Sequence, residues 1–95
     1  MTMTSVLRLR PLPDVDLAAA FAELEVFEHS RRTGGFLGGR LLRAVEGDGY
    51  LVIAEWEDAA AYQGWLDSEA RAAVGEKLEP LMAADVASGE LFQEV

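Results

Sequence analysis

Residues 50–66 read YLVIAEWEDAAAYQGWL, and a change of period inside this stretch decides the fold. From Tyr50 to Ala54 no residue carries a charge, and Leu51, Val52 and Ile53 form an unbroken apolar run, the pattern of a strand covered on both faces. After Glu55 and Trp56 the spacing changes. Tyr62, Trp65 and Leu66 fall three and four apart among small or polar residues, which predicts a helix directly behind the strand. Trp56, Tyr62 and Trp65 are thereby expected to gather near one strand end.

Working outward, residues 46–49 (EGDG) separate this strand from residues 36–45 (FLGGRLLRAV). Asp-Gly between two β-like runs is a hairpin signal, so the two strands are read as antiparallel neighbours. Gly38-Gly39 inside the first of them predicts a bulge or the close approach of another backbone. Before it, residues 16–32 place Leu17, Ala20, Phe21, Leu24 and Phe27 at helical spacing, predicting one amphipathic helix of about four turns. Asp14 or Asp16 caps its start near Val15, Arg31 and Arg32 suit its negative end, and Thr33-Gly34-Gly35 stops it. Residues 5–10 (SVLRLR) alternate as a half-exposed strand does, and Pro11 and Pro13 end it. Past the central stretch, Asp67 and Ser68 break the helix, and Ser68 caps a second piece running to about Gly75. A short turn interrupted by Pro80 follows at residues 78–83. Residues 87–95, with Leu91, Phe92 and Val95, have the composition of a closing strand.

The order βαββαβ implies an α+β, ferredoxin-like antiparallel sheet with its helices on one face, in a single domain of residues 1–95. The other face is left bare. Because the central strand is apolar on both sides and so small a domain buries only about 60–65% of its unfolded surface, a second copy is expected to cover that face, giving a homodimeric α+β barrel.

Seventeen acidic against eight basic residues give a net charge of −9, which argues against nucleic acid or an anionic membrane as partner. The absence of cysteine excludes disulfides, thiolate metal sites and a thiol nucleophile. One histidine and scattered acids leave no metal site, and the glycine pairs make no nucleotide-binding fingerprint because no helix opens behind them. No cofactor is therefore expected. No run approaches the length of a membrane span and the N-terminal MTMTSVLRLR lacks the apolar core of a signal peptide, so a cytoplasmic location is expected.

The run GGFLGGRLLRAVEGDGYLVIAEWEDAAAYQGWLDSEAR, within residues 33–81, resembles the antibiotic biosynthesis monooxygenase superfamily of dimeric α+β barrels. The marks are Gly35-Phe36, the junction Glu55-Trp56-Glu57-Asp58, and Tyr62 and Trp65 behind it. The resemblance implies quinone-forming oxygenases of aromatic polyketide pathways that use neither metal nor flavin, matched here at Trp56 and Tyr62. The asparagine of those enzymes four residues before the tryptophan is Val52 here, and their arginine on the later helix falls near Glu76. Haem-degrading members are similar at Trp65, but their histidine ten residues later corresponds to Gly75 and their strand-one asparagine is missing, which speaks against haem degradation. Polyketide cyclases share the same fold.

Trp56, Tyr62 and His29 are the candidate catalytic residues. Trp56 shares a strand face with Val52 and Ala54, so its indole N–H reaches either a ligand carbonyl or a helix backbone oxygen. Tyr62 can donate to a developing enolate or phenolate oxygen, or is a core tyrosine with its hydroxyl at the surface. His29 is the one imidazole and a natural base near neutral pH, although it lies off the Leu17–Phe21–Leu24 stripe of its helix. Trp65, Val52, Phe21 and Phe36 are the candidate substrate-binding residues, Trp65 either stacking on a flat ligand or filling the helix–sheet interface. Three readings are open: a cofactor-independent monooxygenase of an electron-rich aromatic, a non-redox cyclase or isomerase, and a non-catalytic small-molecule-binding dimer.

Overall fold

The computed structural model describes residues 2–84, 86 and 88–95. Strand β1 (Met3–Leu9) leads through helices α1 (Leu17–Glu23) and α2 (Val26–Arg32) to the hairpin of β2 (Phe36–Arg43) and β3 (Tyr50–Trp56). Helices α3 (Ala59–Leu66) and α4 (Glu69–Leu78) and a 3-10 turn (Glu79–Leu81) then precede β4 (Glu90–Gln93). The sheet order is β2-β3-β1-β4 and each pairing is antiparallel. This is the α+β, ferredoxin-like arrangement expected from the sequence. Ala87, where that reading starts the closing strand, lies outside the described residues, and within them the strand begins at Glu90.

Helices α1, α3 and α4 each start where a short polar side chain satisfies a first-turn N–H, whereas α2 has no side-chain cap. Asp16 accepts from the Ala19 amide at 3.0 Å and Asp58 from the Ala61 amide at 2.8 Å, while the Ser68 hydroxyl accepts from the Arg71 amide at 3.1 Å. Of the two aspartates expected to cap the first helix, Asp16 is the one used, and the helix begins at Leu17.

The single helix expected over residues 16–32 is two helices. Glu25 sits between them in the left-handed region, with φ 50°. In a straight helix the row Leu17, Phe21 and Leu24 would have continued through Phe27. By turning at Glu25 the chain buries Val26 and Ser30 instead. The buried Ser30 hydroxyl is satisfied by donating to the Val26 carbonyl at 2.9 Å. Helix α4 likewise runs past Gly75 to Leu78, because nothing at Gly75 forces a left-handed turn.

The bulge expected near Gly38-Gly39 lies one residue earlier. Phe36 pairs with Trp56 and Gly38 with Glu55, so Leu37 is the extra residue and its side chain is exposed. The hairpin closes with the Ala44 amide donating to the Gly49 carbonyl at 2.8 Å, and Gly47 supplies a φ of 91°.

Alternation sorts the sheet residues. Leu7, Leu9, Val52, Ala54 and Trp56 face the helices, where Leu9, Leu17, Phe21, Val26, Val74 and Met82 form one buried cluster and Phe36, Ala54, Trp56 and Trp65 a second. On the opposite face the register brings together Val6, Ile53, Leu51 and Leu42, flanked by the exposed Arg8, Arg40 and Glu55, with Phe92 beyond them. Leu42 and Phe92 are exposed there, and Val6, Leu51 and Ile53 half-buried.

Gly34 and Gly35 both take positive φ, 94° and 74°, but they differ in surroundings. A Cβ on Gly34 meets open space, whereas one on Gly35 collides with the Ala61 side chain of α3. The Gly35 carbonyl also accepts the Glu57 amide at 2.8 Å, tying the end of α2 to the β3–α3 junction. Urea denaturation is expected to show Gly34→Ala losing about 1 kcal/mol of stability from backbone strain alone, and Gly35→Ala about 3 kcal/mol because the clash adds to the strain.

Candidate functional site

Trp56, the last residue of β3, is 1% exposed. A buried indole N–H needs an acceptor, and the chain supplies one from β1. Nε1 donates to the Ser5 hydroxyl at 3.0 Å, and that hydroxyl donates in turn to the Ala54 carbonyl at 3.5 Å. Neither acceptor considered from the sequence is used. With its N–H occupied, Trp56 offers a ligand its ring rather than a donor.

Trp56 also sits in a row of rings. Phe36 meets it edge-on at 5.2 Å between centroids, and Tyr62 lies tilted at 5.6 Å. Phe27 stacks on Phe36 at 6.0 Å and Phe21 follows at 5.9 Å. Five aromatic side chains from α1, α2, β2, β3 and α3 are therefore contiguous, and contacts at these spacings contribute about 0.5–1.5 kcal/mol each beyond burial.

Between the helices and the sheet lies a cavity of about 720 Å³. Its sheet wall is Ser5, Leu7, Leu9, Val52, Ala54 and Trp56. Across from them stand Phe21, Phe27, Tyr62, Trp65 and residues of α4. Its volume is that of a site for a small multi-ring molecule. The small side chains of Ala72 and Gly75 on the α4 wall leave much of the space.

The geometry thus assembles Trp56, Tyr62, Trp65, Val52 and Phe21 around one cavity. Phe36 is not on its wall; it packs behind Trp56. His29 is not on the wall either. Val26 and Ser30 take the buried row of α2, leaving His29 half-buried beside Arg32, whose guanidinium stands 3.4 Å from Nδ1.

Tyr62 is the polar group best placed for chemistry. Its hydroxyl makes no hydrogen bond among the described residues, and the backbone of Gly89 passes so close that a Cβ there would collide with it. Burial pushes its pKa above the ordinary 10.0, partly offset by the charge of Arg71. Tyr62 is therefore a protonated donor at neutral pH. Because the folded state disfavours the phenolate, the associated stability is complete below pH about 10 and is lost as pH rises from there through the folded pKa.

Sequence reasoning missed two residues of the site. Ser5 could have been found as the one hydroxyl on the inward side of an alternating strand, a group that must have a buried partner. Arg71 carried no motif, yet it is the sole cation of the cavity lining among the described residues.

The sequence model of the antibiotic biosynthesis monooxygenase family matches residues 5–77. SnoaB from Streptomyces nogalater, a cofactor-independent oxygenase, is 26% identical with a TM-score of 0.77, over 99% of this chain and 93% of that one. A conserved protein from Methanosarcina mazei Go1 shares the fold, with a TM-score of 0.82 at 12% identity over 100% and 94% of the two chains. A heme oxygenase (mycobilin-producing) from Mycobacterium tuberculosis is 43% identical over 49 residues, covering 50% of this chain and 47% of that protein. The chain thus matches only about half the length of these curated relatives.

A haem would need an axial ligand from the cavity wall. The lining has no imidazole or thiolate, burial disfavours the Tyr62 phenolate, and the Met82 thioether is buried in the core cluster. The residues present do not fit an iron-bound haem.

Ser5→Ala leaves the Trp56 N–H buried without an acceptor and is expected to cost about 1–3 kcal/mol in urea denaturation. In a double-mutant cycle with Trp56→Phe the second substitution should cost less once the first is made, with a coupling of about 1 kcal/mol.

Proposed function

The chain belongs to the antibiotic biosynthesis monooxygenase family, and from that premise we propose that it is a cofactor-independent monooxygenase of an electron-rich aromatic intermediate of polyketide type, acting in secondary metabolism in the cytoplasm. The observation that carries this reading is the cavity itself, lined largely by aromatic and apolar side chains together with Tyr62, whose hydroxyl makes no hydrogen bond among the described residues.

The chemistry asked of such a site is modest. A methylene or ring carbon activated by neighbouring oxygens loses a proton, and the resulting carbanion is reducing enough to attack dioxygen. A C–O bond forms to give a hydroperoxide. Loss of the second proton from that carbon then breaks the O–O bond, releasing water and leaving a carbonyl. CH2 and O2 become C=O and H2O, with the substrate supplying all the electrons. Tyr62 donates to the oxygen on which charge collects as the carbanion forms, and Trp56 and Trp65 hold the ring system flat. His29 has no part in this scheme because it is off the cavity wall.

A second reading is supported by Val52, an apolar cavity residue where the oxygenases that this chain resembles carry an asparagine. A non-redox cyclase would use the same cavity and the same donor without consuming oxygen. A non-catalytic binding dimer would only retain the ligand.

Oxygen uptake in metal-free buffer with an anthrone or a dihydroxynaphthalene separates the three. The oxygenase reading expects uptake and a product that has gained one oxygen and lost two hydrogens, with Tyr62→Phe lowering kcat roughly 100-fold. Conversion without uptake would establish the cyclase, and binding without conversion the third reading.

The homodimer is part of the proposal and rests on the apolar patch of Val6, Leu42, Leu51 and Ile53 on the outer face of the sheet, which Arg8 and Arg40 flank. Sedimentation is expected to give a dimer for the native chain and a monomer for Ile53→Arg, which places a charge in the middle of that face. A monomeric native chain would overturn it.

A further inference from the structure

Gly89 stands immediately before β4, whose first pair is Glu90 with Val6 of β1. Alternation along that strand puts it on the same side as Leu91, which pairs with the cavity-lining Ser5. A side chain at position 89 would therefore point into the space between sheet and helices. The Tyr62 hydroxyl already stands there. A Cβ on Gly89 collides with that oxygen, while its other neighbours, the Tyr62 Cζ at 3.8 Å and the Val6 carbonyl oxygen at 3.7 Å, are at ordinary contact distance. A single atom, the phenol oxygen, thus occupies the place where the side chain of residue 89 would begin.

The backbone does not ask for glycine at this position. Gly34, Gly35 and Gly47 take positive φ, whereas Gly89 does not, so an L side chain is conformationally acceptable there. For the strand itself a glycine is a loss, in chain entropy and in packing. The room it leaves is used by Tyr62. The ring of Tyr62 is bounded on its flank by Trp56, at 5.6 Å between centroids and tilted by 57°, and Trp56 is in turn fixed by its bond to Ser5. Gly89 bounds its tip. A phenol held at flank and tip has one place for its oxygen.

We propose that Gly89 is the positioning residue for the Tyr62 hydroxyl: the absent side chain lets the phenol reach from α3 to the β4 edge of the sheet, and any larger residue there drives the hydroxyl out of its place. This rests on the reading of Tyr62 as the donor of the proposed reaction and names what sets its aim. Position 89 then governs rate rather than ligand affinity, because the cavity walls at Val52, Trp56 and Trp65 are left as they are.

A double-mutant cycle of Gly89→Ala with Tyr62→Phe tests this, since Phe lacks only the atom that the new Cβ meets. Thermal melts followed by circular dichroism at one protein concentration are expected to show Gly89→Ala lowering Tm by roughly 5–10 °C in the native background, the cost of overpacking. In the Tyr62→Phe background the same substitution should leave Tm unchanged or raise it by about 2–5 °C, which is what removing a glycine from the unfolded chain supplies. With anthrone as substrate in an oxygen-uptake assay, Gly89→Ala should lower kcat roughly 10- to 100-fold, as a donor misplaced by about 1 Å does, and keep KM within about twofold. Once Tyr62 is Phe it should lower kcat no further. An equal loss of Tm in both backgrounds would assign the glycine to strand packing and overturn the proposal. An unperturbed Tm or kcat in the native background, or kcat losses that multiply across the cycle, would overturn it as well. Because the melts do not depend on turnover, absent oxygen uptake would remove the oxygenase reading, and the melts alone would decide whether Gly89 seats Tyr62.

Discussion

A tryptophan can be sealed from water only if something answers its N–H, and most of this structure is arranged around that requirement at Trp56. The acceptor comes from Ser5, 51 residues earlier in the chain, so the bond can form only when β1 has been brought beside β3 in one register. The ring then needs neighbours on its other sides. Phe36 from the paired strand and Tyr62 from the helix behind supply them. One side chain thereby joins two strand pairings and the strand-to-helix junction, and displacing it by a single residue would carry it to the opposite face of the sheet.

The cavity is the complement of this packing. Large rings concentrate at one end of the sheet, and small residues, Ala54 on β3 and Ala72 and Gly75 on α4, face the space that remains. The turn at Glu25 lets two short helices cover the sheet, the second burying Val26 and Ser30. Polarity is admitted sparingly: Ser5 is consumed by Trp56, Ser30 by its own helix, and what is left is concentrated on Tyr62 and the α4 wall.

The parts of this architecture legible from the sequence are those encoded by local period. The switch from an apolar run to helical spacing at Trp56, the Asp-Gly hairpin and the alternation before Pro11 lead directly to the order of elements, and even spacing along β3 placed Val52 and Trp56 on one face. What was not legible depends on context. A glutamate in the left-handed region carries no sequence signal, since glycine or asparagine normally marks such a residue, and the stripe from Leu17 to Phe27 fits a straight helix equally well. Gly75 looked like a helix end because glycine often is one, yet here it is a gap facing the cavity. Ser5 matters through a partner, and Arg71 through a cavity, that only the three-dimensional packing supplies, whereas His29 already lay off the apolar stripe in the sequence.

The extra residue at Leu37 acts on more than the neighbouring pairing. Every open sheet has two rims whose unpaired amides can template another strand, and a chain of this composition could in principle stack into fibrils along them. Here the β2 rim is offset by its bulge before the ladder is three residues old, and it carries Arg40 and Arg43; the other rim, β4, is only four residues long. Neither presents the long, flat, uncharged edge that fibril growth needs. The sheet is thereby guarded against polymerising sideways.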